Sequence, residues 1–237
     1  LLLSFSLFYS VRVYQPHSIM SFLMYDFNND AYNVPYSMYS DFNDVTPNLT
    51  STALPLKMLK ARYFINIDSL DTAKDLLYKA IKDNPYIKGP EQMLATIYFK
   101  EKKYDSALMF SEDAFLKMPN VNPHRATYFE VLRHFNDSLG LDRAFEIIKN
   151  TENTSNWYDY AYTRYKINPK DKNKVLGVID DFKVKFPDVN KTIIDNLKRI
   201  VQLGSESYAF FEVYANAADE LFTNEEYEKS ADTYEKA

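Results

Sequence analysis

The sequence predicts an all-α fold, an α-solenoid of about five or six stacked antiparallel helix pairs that begins with a hydrophobic helix. Two observations support this prediction. The chain has only four glycines in 237 residues, and a turn-rich all-β chain would need more. Residues 71–85 and 105–119 also share small residues and a final proline at a spacing of 34 residues, and such a period is typical of two-helix repeats.

Residues 1–16 are the first predicted element, a hydrophobic helix with no charge before Arg12. Eleven uncharged residues in a helix span about 17 Å, whereas the hydrocarbon core of a bilayer is about 30 Å thick. We interpret the stretch as a truncated membrane-exit segment, because both ends of the sequence look cut. A buried cap helix and the remnant of a signal peptide are the alternatives. The residues that follow contain few Lys or Arg, which favours the outer, periplasm-like side.

Residues 17–53 are interpreted as a degenerate helix pair that caps the array and ends near Pro47. Residues 54–119 then form two well-formed repeat units, because apolar positions recur there at helical spacing and polar turns separate them. The predicted helices of the two units are 54–66, 70–83, 89–101 and 104–117.

When the two units are aligned, residues of the same kind fall at the same places. Small residues recur where two helices must cross closely, aromatic rings recur one turn later, and a proline ends each second helix. The paired positions are Ala61 with Ala95, Phe64 with Tyr98, Ala73 with Ala107, Ala80 with Ala114, and Pro85 with Pro119. Close helix crossings explain why these residues repeat although most others change.

Residues 120–204 are interpreted as degenerate helical repeats. In the first of them Ala144 falls three residues later than the 34-residue spacing requires. A second degenerate helix pair has Trp157 and Ala161 on one face and ends at Pro187. The apolar spacing within 189–203 predicts a further amphipathic helix with an apolar face that begins at Ile193 and Ile194.

Residues 205–237 return to the repeat pattern. Ala218 and Tyr227 fall at signature positions of the unit, and the sequence stops before its second helix would be complete. We expect a further repeat unit here, truncated at its C-terminal end.

These residues resemble the tetratricopeptide repeat family, and the resemblance is most specific over 54–119. It implies stacked helix pairs whose first helices line a concave groove that holds a protein or peptide. By their phase, the residues that would face this groove are Met58, Arg62, Ile65, Gln92, Thr96 and Phe99.

Some members of that family grip a C-terminal carboxylate with lysine and asparagine at set groove positions. Met58 and Gln92 stand at the first of those positions here, and Arg62 and Thr96 at the second, so the clamp is incomplete. Arg62 is a candidate anion contact, and a solvated surface residue is the alternative.

The sequence contains no constellation that supports catalysis. Cysteine is absent, the three histidines lack the spacing of metal ligands, and the scattered glycines cannot build a phosphate loop. We therefore predict no catalytic residue, no cofactor and no metal site. The net charge of −5 argues against nucleic acid as a partner.

These features favour a non-catalytic protein-interaction scaffold, tethered to a membrane through its N-terminal segment and facing the periplasm-like side, and a soluble scaffold is the alternative. The order of segments also resembles the C-terminal repeat region of bacterial O-antigen ligase or polymerase membrane proteins. That resemblance implies a protein of the bacterial inner membrane with a periplasmic tail, catalytic residues outside this fragment, and glycan-assembly proteins as partners. A repeat scaffold of the outer-membrane nutrient-uptake or lipoprotein type is the third alternative.

Overall fold

The structure is a computed structural model that describes residues 19–40, 48–189 and 191–204. These residues are mainly helical, and the β-type pairing among them is an isolated bridge between Leu49 and Pro55. The helices are α1 (19–28), α2 (Tyr36–Ser40), α3 (Leu56–Asn66), α4 (Leu70–Asp83), α5 (Gly89–Lys100), α6 (Tyr104–Lys117), α7 (Asn122–His134), α8 (Ser138–Ile148), α9 (Thr154–Ile167), α10 (Lys172–Lys185) and α11 (Lys191–Leu203). The predicted all-α class is confirmed.

The described residues divide into two compact units, and the division falls inside α7, between Val131 and Leu132. In the first unit α3 packs against α4, α4 against α5, and α5 against α6. In the second unit α9 packs against α8, α10 and α11. From α3 to α6 and from α8 to α11, helices that are neighbours in the chain are thus neighbours in space.

The repeated alanines are buried at equivalent places in α3 to α6. Each of them has 0% of its surface exposed, which is expected where two helices approach too closely for a larger side chain. They are Ala61, Ala73, Ala80, Ala95, Ala107 and Ala114. The two prolines that share the pattern, Pro85 and Pro119, each lie two residues after the last residue of a second helix. The six alanines thus lie on the buried faces of their helices, and the two prolines follow the ends of α4 and α6.

A residue in the left-handed conformation recurs at the turns of three successive pairs, α3–α4, α5–α6 and α7–α8. Asp68, Lys102 and Asn136 have φ angles of 61°, 60° and 53°, and successive members are 34 residues apart. In each turn the next amide N–H donates to the carbonyl five residues before it, from Ser69 to Phe64 at 2.8 Å, Lys103 to Tyr98 at 2.8 Å, and Asp137 to Leu132 at 3.0 Å. This bond defines the Schellman motif, which satisfies carbonyls at the end of the first helix.

The third helix pair keeps the same spacing in its backbone, although Ala144 falls three residues late in the sequence pattern. Leu141 and Ile148 follow Ala107 and Ala114 by 34 residues, and both are fully buried. Large apolar side chains thus occupy the positions that alanine holds in the earlier pairs. The backbone repeat persists through α8 although its sequence signature is lost.

The N-terminal pair ends its first helix with the same kind of turn. The Ala31 amide donates to the Asp26 carbonyl at 2.8 Å, and Asp30 has a φ of 49°. The second helix of this pair, α2, is five residues long in the described part of the chain. Pro47, the predicted end of the pair, lies outside the described residues.

Aromatic side chains hold the N-terminal pair against α3. The Tyr39 ring stacks on Tyr63 with centroids 4.6 Å apart and meets Phe64 edge-on at 5.5 Å. Such aromatic pairs stabilise a fold by about 0.5–1.5 kcal/mol each beyond the area they bury. The segment 19–40 therefore belongs to the core of the first unit, together with α3.

The second unit places its predicted apolar residues inside. Trp157 and Ala161 of α9 are buried, and α10 ends at Lys185, just before Pro187. On α11 the buried face includes Ile194, whereas Ile193, which was predicted to share that face, is 39% exposed.

Two predicted elements lie outside the described residues. These are the hydrophobic helix in 1–16 and the C-terminal repeat in 205–237, with its signature residues Ala218 and Tyr227. Among the helices that the structure describes, none combines the length and the apolar character needed to cross a bilayer.

Candidate functional site

A cavity of about 570 Å³ lies in the first compact unit, beside α3 and α5. Its walls come from α1, α3, α5 and α7, which are the first helices of their pairs, and from connecting loops. Neither α4 nor α6, the second helices of the central pairs, contributes to the wall. The lining residues of α3 and α5 are Met58, Arg62, Ile65, Gly89, Gln92, Met93 and Thr96.

Five of the six residues predicted to face a groove line this cavity. Among them, Gln92 follows Met58 by 34 residues, and Thr96 follows Arg62 by 34 residues. The remaining one, Phe99, lies elsewhere, since its half-buried ring packs edge-on against Tyr104 with centroids 5.4 Å apart. Phe99 follows Ile65 by 34 residues, but only Ile65 reaches the cavity. The repeat phase thus brings most of the predicted residues together around one space.

Arg62 is enclosed by the turn that follows α1. Its guanidinium donates to Asp30 Oδ1 at 2.6 Å and to the Ala31 carbonyl oxygen at 3.4 Å. The same group lies over the Tyr32 ring, 4.4 Å from the centroid, and within 5.6 Å of the Phe27 centroid. With 8% of its surface exposed, Arg62 is not the solvated residue considered as an alternative from the sequence.

Asp26 holds this wall of the cavity in place. Its carboxylate accepts hydrogen bonds from the Tyr63 hydroxyl, the Val34 amide, and both the amide and the side chain of Asn33. Burial alone would raise the pKa of Asp26, but these hydrogen bonds outweigh burial and hold the pKa below its usual value. Burial and the bond to the Asp26 carboxylate raise the pKa of the Tyr63 phenol. This network ties the loop after α1 to α3.

On α5, Gln92 adds a hydrogen-bonding group to the cavity wall. Its side-chain nitrogen donates to Thr127 Oγ1 at 2.8 Å and to Thr96 Oγ1 at 3.2 Å. The Thr96 hydroxyl in turn donates to the Gln92 main-chain carbonyl at 3.2 Å. Since both amide hydrogens are engaged, the side-chain carbonyl oxygen of Gln92 remains as an acceptor.

Methionines give the cavity an adaptable apolar surface. Met58, Met93 and Met118 all line it, and the unbranched thioether can change rotamer to fit different shapes. Gly89 allows Met58 to approach α5, because a Cβ atom built on Gly89 would lie 2.7 Å from the Met58 sulfur. A larger residue at position 89 would displace this methionine.

His124 closes the far end of the cavity as a neutral ring. It is 4% exposed, it hydrogen-bonds to the backbone at Ala114 and Met118, and its Nδ1 atom is buried without a hydrogen-bond partner. Burial lowers the pKa of His124 more than the two backbone bonds raise it. The imidazole is therefore uncharged near pH 7 and adds no positive charge to the cavity.

A second cavity, of about 590 Å³, lies between α1 and the loop before α2. Phe22, Tyr25 and Met38 line it, and each exposes more than a third of its surface. Of its lining residues in the described part of the chain, Asp26 is the charged one, and its carboxylate is bound by the network described above. Its other polar lining residues include Asn33, whose amide and side chain both donate to the Asp26 carboxylate.

The described lining of the first cavity combines an apolar surface with a few polar side chains, as binding sites commonly do. Among the described residues, no cluster of three or more metal-ligating side chains is placed to hold an ion. Two charged side chains in its wall, Arg62 and Asp30, form an ion pair with each other. No model of a known protein family matches the chain, and no curated protein matches it.

Proposed function

We propose that this chain is a non-catalytic scaffold of tetratricopeptide type, and that the first unit binds an extended segment of a partner protein. The binding site is the cavity beside α3 and α5. The helix pairs serve as a frame that holds the first helices side by side.

The observation that carries this proposal is the repeat spacing of the cavity wall. Met58 and Gln92 are 34 residues apart, and so are Arg62 and Thr96, and all four line the same cavity. A surface built from equivalent positions of consecutive repeats is elongated along the stacking direction, and an extended peptide fits such a surface.

The composition of the wall agrees with peptide binding. Met58 and Met93 offer apolar contact, Gln92 offers a hydrogen-bond acceptor, and Thr96 is exposed at the edge. Pockets that bind ligands combine a mainly apolar lining with a few polar groups that fix orientation. We also propose that the helix pairs stack as an α-solenoid, as in tetratricopeptide repeat proteins.

A display selection tests the proposal. Random twelve-residue peptides are selected on the full 237-residue chain, and enriched peptides are measured against wild type and Thr96→Trp. Thr96 is exposed, so the tryptophan can occupy the cavity without disturbing the core. We expect Thr96→Trp to weaken binding at least tenfold.

The matched control is Thr72→Trp, which adds the same side chain at an exposed position of α4 that does not line the cavity. Equal melting temperatures of the two variants would show that both are folded. If selection enriches no peptide, or if enriched peptides bind Thr96→Trp as well as wild type, the proposal is wrong.

A further inference from the structure

The wall of the first cavity presents a carboxylate to water and encloses its cation. The side chain of Arg62 is 9% exposed, whereas that of its partner Asp30 is 93% exposed. The guanidinium is covered by the Tyr32 ring and bonded to the turn after α1. An incoming ligand therefore meets the negative member of this ion pair first.

The other polar groups in the wall do not offset that charge. Gln92 has its amide nitrogen bonded to two threonines, which leaves its carbonyl oxygen as an acceptor. His124 is buried and hydrogen-bonded to the backbone, and burial lowers its pKa. The cavity thus combines an apolar surface with hydrogen-bond acceptors. A ligand that matches it is apolar and carries hydrogen-bond donors or a positive charge.

We propose that the cavity binds a partner segment in which a bulky apolar side chain is flanked by lysine or arginine. This inference rests on the proposed function and specifies the chemistry of its ligand. The apolar side chain packs among Met58, Met93 and Ile65, and the flanking cation pairs with Asp30. A main-chain N–H of the segment donates to the Gln92 side-chain carbonyl.

An acidic segment fits this wall poorly. Its carboxylates would lie near Asp30, and the Arg62 guanidinium that could attract them is already engaged. Charges of like sign at an interface select against the wrong partner, and charges of opposite sign favour encounter with the right one. The net charge of −5 on the whole chain acts in the same direction.

Three labelled peptide pools test the inference by fluorescence anisotropy with the full chain. Each pool has nine residues with Leu, Met or Phe at the centre. The flanking residues are Lys and Arg in the first pool, Asp and Glu in the second, and Ser and Gln in the third. Since an exposed ion pair contributes at most about 1 kcal/mol, we expect the basic pool to bind about three- to fivefold tighter than the neutral pool.

The Asp30→Asn variant should abolish that preference, because asparagine keeps the shape and tolerates the left-handed conformation at φ 49° but removes the charge. Asp68→Asn is the matched control. Asp68 is also exposed, also left-handed with a φ of 61°, and also paired with a basic residue, Lys100 at 2.6 Å, but it does not line the cavity.

The outcomes separate the inference from the proposed function. If neutral or acidic pools bind as tightly as the basic pool and lose affinity in Thr96→Trp, the cavity binds peptides but the charge preference is refuted. If the basic pool keeps its advantage in Asp30→Asn, or loses it equally in Asp68→Asn, the preference comes from overall charge and the inference fails. If no pool shows binding that Thr96→Trp weakens, both the inference and the proposed function fail.

Discussion

Lys102 repeats the backbone conformation of Asp68 34 residues later, with φ angles of 60° and 61°. The residue after each donates its amide hydrogen to the carbonyl five positions before it, at 2.8 Å in both turns. This position usually holds glycine, because a side chain in the left-handed region meets the neighbouring carbonyl. The chain uses a lysine at one such turn and an aspartate at the other, so the conformation is imposed by the packing of the helix pairs.

Replacing Lys102 with glycine is expected to stabilise the protein. The left-handed conformation is costly for lysine, and glycine removes that strain but adds chain entropy to the unfolded state. The net gain should be about 1 kcal/mol in the free energy of unfolding, measured by urea titration. Asn136→Gly should gain less, because asparagine already favours this region. Loss of stability in Lys102→Gly would mean that the side chain contributes more than its backbone strain.

The second prediction concerns the close helix crossing at Ala95. Ala95→Trp adds a large side chain at a position with 0% exposure, and overpacking of this kind typically destabilises by about 1–3 kcal/mol or more. The adjacent residue Thr96 is exposed, so Thr96→Trp should leave the melting temperature nearly unchanged. Equal melting temperatures for the two tryptophan variants would contradict the phase assigned to α5.

The repeat positions could be predicted from sequence because close crossings admit few residue types. Ala61 and Ala95 define the phase of their helices, and that phase predicted five of the seven cavity-lining residues of α3 and α5. The third pair departs from the alanine pattern because Leu141 and Ile148 fill the same places with large side chains. Its register therefore depends on packing and backbone turns, which a search for small residues does not detect.

The charge arrangement of the cavity could not be predicted in the same way. Asp30 and Tyr32 come from the turn after α1, and His124 comes from the start of α7. None of them shares a repeat position with the predicted groove residues. Folding brings Asp30 to Arg62, which is 32 residues away in the chain. Arg62, a candidate anion contact in the sequence, is therefore an enclosed cation that is already paired.

The third prediction follows from the burial of Arg62. Arg62→Ala removes a guanidinium that covers the Tyr32 ring and bonds to the turn after α1. Lost packing and lost cation–π contact should destabilise by about 1–2 kcal/mol in urea titration. Arg62→Lys should recover part of this, since it restores the charge but not the planar group.

The control for Arg62 is an exposed ion pair on α4. Lys79 lies 2.7 Å from Asp75, and half of its side chain is exposed. Pairs of this kind contribute little, so Lys79→Ala should change stability by less than about 0.5 kcal/mol. If Arg62→Ala were as neutral as Lys79→Ala, the segment 27–32 would not be held by the guanidinium.

The fourth prediction is a pH dependence that originates at Asp26. Its pKa is lower in the folded chain than its usual value, because hydrogen bonds from Tyr63, Val34 and Asn33 outweigh the effect of burial. A carboxyl whose pKa is depressed by folding stabilises the folded state fully above its unfolded pKa of about 3.9, and this contribution is lost as the pH falls through the lower folded pKa.

Asp26→Asn should therefore lower the free energy of unfolding by about 2 kcal/mol at pH 7, and the difference from wild type should shrink as the pH falls below about 4. Asp71→Asn, at a side chain that is 99% exposed, is the control and should leave the free energy of unfolding at pH 7 nearly unchanged in the same urea titrations. A difference between Asp26→Asn and wild type that stays constant over this range would show that the charge of Asp26 does not anchor the loop after α1 to α3.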